Sequence, residues 1–141
     1  MPATAAATFA AVGFALYAAH HVADHWIQTQ HQADNKGREG WPGRTACAAH
    51  VVTYTATAAL ALAALVTVLG VSLAALPSVA GLAVSAITHY VADRRTPLRR
   101  IADWLGSGKF YRLAGAGMNG AYLLDQSWHV GWLFVAALII A

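Results

Sequence analysis

Four apolar stretches, joined by connections that carry every Lys and Arg of the 141-residue chain, constrain its fold more than any other feature. They run over about 5–27, 46–69, 78–93 and 121–141. A helix crosses the hydrocarbon of a bilayer with about 20 apolar residues at a rise of 1.5 Å each. Three stretches reach that length. The third does so only if residues before Pro77 join it, and a proline suits the first turn of a helix. Gly70 and Ser72 mark the turn ahead of it. Charged residues make up only 11% of the chain against 58% hydrophobic. A water-soluble domain carries about 25% charged residues, so lipid is the expected solvent. The expected fold is all-α: one transmembrane domain over 1–141, a compact bundle of about four spans. The spans are rich in Ala, Gly and Thr, and such small residues let membrane helices approach closely. No Lys or Arg precedes the first stretch, as one would in a signal peptide, so it reads as an uncleaved helix.

The charges predict the orientation. The first loop has Lys36, Arg38 and Arg44 against Asp34 and Glu39, a net +1. The third has Arg94, Arg95, Arg99, Arg100, Lys109 and Arg112 against Asp103, a net +5. With four spans these loops share a side, and the positive-inside rule makes it cytoplasmic, with both termini outside. Within the third loop, Leu98, Ile101, Trp104 and Leu105 follow helical spacing with Arg99 and Arg100 opposite, which predicts a short interfacial helix over about 97–105. Trp26, Trp41, Trp104 and Trp128 fall near the same boundary and predict an aromatic belt. The expected partners are the bilayer and anionic headgroups against the basic loop 94–112. A homo-oligomer is left open, and nucleic acid is not expected. The single cysteine, Cys47, excludes an intrachain disulfide and a multi-cysteine zinc site and reads as a small packing residue.

Three aspartates lie at the ends of apolar stretches, and each has a histidine four residues away: His20 and Asp24, His89 and Asp93, Asp125 and His129. That spacing puts both side chains on one helix face. The order reverses in the fourth stretch, which runs in the opposite direction through the membrane. The aspartate is therefore nearer the cytoplasm in all three pairs. His50 enters from the start of the second span. Four helices are thus expected to deliver side chains to one layer. A charged Asp at the centre of a span costs roughly 2.5–3.5 kcal/mol on insertion scales, so even near the ends these groups need partners.

Three readings follow. The leading one is a metal site formed by His20, Asp24, His50, His89, Asp93, Asp125 and His129, holding a divalent ion, zinc first and manganese or iron next. Asp24, Asp93 and Asp125 are the candidate catalytic groups, and metal-activated water makes the chain a candidate membrane hydrolase. Seven candidates exceed one zinc coordination sphere, so either two metals bind or some residues act as base or supporting partners. The second reading is a structural polar layer that fixes helix packing. The third is a proton or ion relay, or a small transporter. Gln28, Tyr54, Thr57 and Ser85 extend the same faces as supporting partners or packing hydrogen bonds, while His21 and His25 lie about 100° around the helix from His20 and Asp24.

The run His20-His-Val-Ala-Asp24-His-Trp-Ile-Gln28, with Lys36 in the loop, resembles the N-terminal signature of a family of small bacterial inner-membrane proteins, the domain of unknown function 3307. His50, the pair His89 and Asp93, and the group Asp125, Gln126 and His129 continue the likeness over nearly the whole chain. Two departures are His25, where the family usually has an aromatic residue, and Arg94-Arg95 after the third motif, where a more apolar turn ending in Lys is expected. The resemblance implies a bacterial inner-membrane location and no particular activity.

Overall fold

The computed structural model describes residues 2–141. Helix α1 (Pro2–Val22) runs on into a π-helical turn (Ala23–Ile27). Next come α2 (Gln30–Asn35), α3 (Gly40–Leu69), α4 (Ala75–Asp93), α5 (Thr96–Trp104) and α6 (Gly108–Tyr111). An antiparallel hairpin, β1 (Ala114–Gly115) on β2 (Met118–Asn119), leads into α7 (Gly120–Ile140). Helices α3 and α4 start ahead of their apolar stretches and take Pro42 and Pro77 into their first turns. There the missing N–H removes no intrahelical bond. Helix α3 stops at Gly70, whose φ of +67° is left-handed, and its N–H and that of Val71 both cap Leu65 O.

Among the described residues, four segments are long and apolar enough to cross a membrane: Thr4–Ile27, Gly40–Leu69, Ala75–Asp93 and Gly120–Ile140. They close a ring in which α1 packs on α3 and α7, and α4 packs on the same two. Phe14, Leu60, Val68, Leu76, Ile87 and Phe134 point outward and are mostly exposed. In water such a surface would drive aggregation; against hydrocarbon it is the solvent-compatible face. The protein is an all-α membrane bundle.

Along the bundle the interior divides in two. One half is an apolar core of Val12, Leu16, Ala19, Ala58, Leu62, Leu133, Ala136, Ala137 and Ile140. The other half is polar, with His20, His50, Tyr54, Ser85, His89, Asp93 and His129 all buried.

Two details differ from the sequence reading. The first loop is not a plain connection: Thr29 caps α2, its side chain accepting from Gln32 N while Gln32 Oε1 accepts from Thr29 N. In α5 the apolar residues share one side of the helix, as their spacing predicts, but only part of it meets the bundle: Leu98 and Ala102 are buried, whereas Trp104 is 83% exposed and Leu105, just past the helix, is exposed as well. A bidentate pair from Arg112 to Asp103, at 2.7 and 2.9 Å, ties α5 to α6 and holds the Asp103 carboxyl below the usual carboxylate range.

Small residues set the spacing of α4 and α7. A Cβ on Gly81 would run into the Ile140 side chain and stand 2.9 Å from Ala136 O. Gly81→Leu is expected to lower stability by about 1–3 kcal/mol through overpacking, read as a fall in the unfolding midpoint in detergent. An unchanged midpoint would mean that the helices separate at no cost.

Candidate metal centre

Each of the four long helices contributes one buried histidine. His20 from α1, His50 from α3, His89 from α4 and His129 from α7 are at most 3% exposed. Ring centroids are 4.9 Å apart for His20 and His129, 4.1 Å for His89 and His129, and 5.1 Å for His50 and His89. Tyr54 stacks on His89 with centroids 3.9 Å apart, and its hydroxyl is 2.5 Å from Ser85 Oγ. These contacts hold the His89 ring from its face.

The tightest convergence is between His50 and His89, whose Nε2 atoms are 3.0 Å apart. Asp24 Oδ1 stands 3.3 Å from the first and 3.5 Å from the second. Asp93 Oδ2 stands 3.4 and 3.3 Å from the same two atoms. Two ring nitrogens that face each other have room for one proton between them, and that proton cannot also satisfy two carboxylate oxygens. Asp24 Oδ1 and Asp93 Oδ2 are in fact buried with no hydrogen-bond partner. Donor atoms about 2.0–2.1 Å from a tetrahedral zinc lie roughly 3.3 Å from one another. The separations here fit a cation among them.

Asp24 reaches this point because of local backbone geometry. It lies in the π-helical turn, a wider turn that recurs at functional sites. Its Oδ2 is 3.8 Å from His20 Nδ1, farther than Oδ1 is from His50 or His89. The pairing expected from spacing along α1 is thus looser than the contacts across the bundle.

Two partners orient these groups from outside. The Lys36 ammonium lies 2.7 Å from Asp93 Oδ1. With its amide turned to suit its neighbours, Gln28 Oε1 accepts from Lys36 Nζ at 2.9 Å and lies 3.2 Å from His50 Nδ1 and 3.3 Å from His50 Nε2. With its proton on Nδ1, His50 would have a lone pair on Nε2, the arrangement found in metal-ligating histidines. Arg94 secures the loop bearing Lys36 by donating to Lys36 O and Arg38 O, both at 2.6 Å. Arg94, where the resemblance leads one to expect a more apolar turn, is therefore a clamp.

Asp125 and His129 lie beside this cluster, with Asp125 Oδ2 3.5 Å from His129 Nε2. Among the described residues, three groups could each hold an ion: Asp24 with His50 and His89; Asp93 with Asp125 and His129; and His20 with His89 and His129. In each, the ligand atoms lie within 4.8 Å of one another. All seven residues singled out in the sequence thus fall into these groups. A cavity of about 530 Å³ opens on the cluster, with Asp24, Asp93, Asp125, Lys36, Arg95 and Tyr122 in its walls.

Spacing along the sequence did not place Lys36 here. Its presence in the family pattern was the one available signal. Gln126 was likewise named only as part of that pattern, and its Oε1 lies 3.2 Å from His20 Nε2. His25 lines the cavity wall, with Nε2 3.3 Å from the Tyr122 hydroxyl, but belongs to none of the three groups; neither does His21. Trp26 and Trp41 are exposed as a belt requires, whereas Trp128 is half-buried and donates its indole N–H to Thr88 O.

The signature of the family described as Protein of unknown function (DUF3307) matches residues 12–141. The chain belongs to this family. No curated protein and no solved structure matches it. DUF3307 membership places all seven clustered residues within the matched region and assigns them no activity.

Lys36 is the ammonium paired with a nearly buried carboxylate, so its removal leaves Asp93 short of a counter-charge. Lys36→Met is expected to cost about 3–5 kcal/mol, read by unfolding in detergent in the presence of chelator, with Lys36→Arg recovering part of the loss. Equal stability of Lys36→Met and the parent would contradict this pairing.

Proposed function

We propose that this protein is a membrane-embedded, metal-dependent hydrolase centred on Asp24, His50, His89 and Asp93. One observation carries the reading: two buried carboxylate oxygens without hydrogen-bond partners, Asp24 Oδ1 and Asp93 Oδ2, converge on the facing Nε2 atoms of His50 and His89. A purely structural polar layer would give those oxygens donors, as buried polar groups have almost everywhere. Mixed imidazole and carboxylate donors suit zinc first, then manganese or iron.

A bound divalent ion would supply a water of lowered pKa and a Lewis acid. The chain's own residues supply the rest. Gln28 fixes the His50 ring and Lys36 fixes the Asp93 carboxylate. Asp125, with a side chain 23% exposed in the cavity wall, brings a further carboxylate to the same space. Lys36 and Arg95 on the same wall favour a substrate with a negative group. The loops around the cavity hold the basic side chains. The positive-inside rule then makes this end cytoplasmic, with both termini outside the bacterial inner membrane and anionic headgroups against loop 94–112.

The test is metal content. Protein purified in mild detergent, without chelator or polyhistidine tag, is expected to carry zinc, manganese or iron in stoichiometric amount, reduced in Asp24→Asn and His50→Gln. Repeated preparations free of all three metals would sink the proposal.

A further inference from the structure

We infer that the centre is binuclear, with a second divalent cation held by Asp93, Asp125 and His129. The inference rests on the metal-site reading above. The two groups Asp24–His50–His89 and Asp93–Asp125–His129 have no residue in common, so each can bring its own set of donors to an ion. Asp93 also joins them. Its Oδ2 is 3.4 and 3.3 Å from the Nε2 atoms of the first group, and one of its oxygens lies within 4.8 Å of ligand atoms on Asp125 and His129. A carboxylate between two clusters of donors is suited to bridging two cations.

The second group has its own signs of an absent partner. His129 is 3% exposed, and its Nε2 has no hydrogen-bond partner, although Asp125 Oδ2 lies 3.5 Å away. Asp93 is 2% exposed and its Oδ2 is equally unpartnered. The α4–α7 contact that brings these three residues together is a close one, with Gly81 against Ile140, so the arrangement rests on packed helices. The alternative triad of His20, His89 and His129 is the weaker candidate. It offers no carboxylate, His20 Nε2 is already engaged by Gln126, and His89 belongs to the first group.

The placement of charge points to a ligand class. Asp24, Asp93 and Asp125, the acids of both groups, line one cavity, so both ions would present an open side to the same space. Three carboxylates against Lys36 and Arg95 leave one negative charge, and two divalent ions turn that balance positive. A phosphate-type anion spanning the ions is the group this site would take, as in other two-metal sites.

The experiment uses the full chain in detergent, stripped by chelator and reloaded with Mn(II) alone. The expected result is two ions per chain and an exchange-coupled electron paramagnetic resonance spectrum. Asp125→Asn and His129→Gln should each retain one ion and show an isolated Mn(II) signal. One ion per chain in the parent, with an uncoupled spectrum that neither variant changes, would overturn the second ion while leaving the first. No bound manganese, zinc or iron under any loading condition would remove both. If the variants misfold, the spectrum and stoichiometry of the parent still decide.

Discussion

Asp24 and Asp93 place negative charge almost out of reach of water, at one end of a bundle whose outer surface is fitted to hydrocarbon. The rest of that end is arranged around this cost. Charge buried in a low-dielectric interior is tolerated only with a counter-charge and hydrogen bonds. Lys36 meets part of the need at Asp93, while Asp24 Oδ1 and Asp93 Oδ2 are left without a hydrogen bond. Those two oxygens are where the proposed cation would be held.

The elements outside the spans serve this arrangement. The π-helical turn carries Asp24 toward His50 and His89. The capped helix α2 and the Arg94 clamp bring Lys36 back over the end of α4. Gln28 links Lys36 to His50 and so connects the loop to the interior. The candidate site has its imidazoles and carboxylates on the long helices and their orienting partners on the adjoining loop. Rigid elements hold these groups, and the loop aims them.

The apolar half of the bundle has a different task. Ala58, Ala136, Ala137 and Gly81 keep the helices close where no polar group assists. Between helices in lipid, association depends on such close contact more than on hydrophobic driving force. That packing holds α4 and α7 in place at the polar end, where His89, Asp93, Asp125 and His129 must meet.

Much of this was legible in the chain itself. Apolar length specified four spans, because backbone polar groups in lipid must be satisfied within each helix. The spacing of four specified which side chains share a face, and the contacts of His89 with Asp93 and of Asp125 with His129 follow it. What sequence could not supply was distance across the bundle. That Asp24 lies nearer His50 than its own helix neighbour His20 depends on how a widened turn rotates one residue against another helix. That Lys36 reaches Asp93 depends on the closure of a loop through contacts far apart in sequence. Periodicity encodes which face a residue occupies; only the packed structure decides which faces meet and how closely.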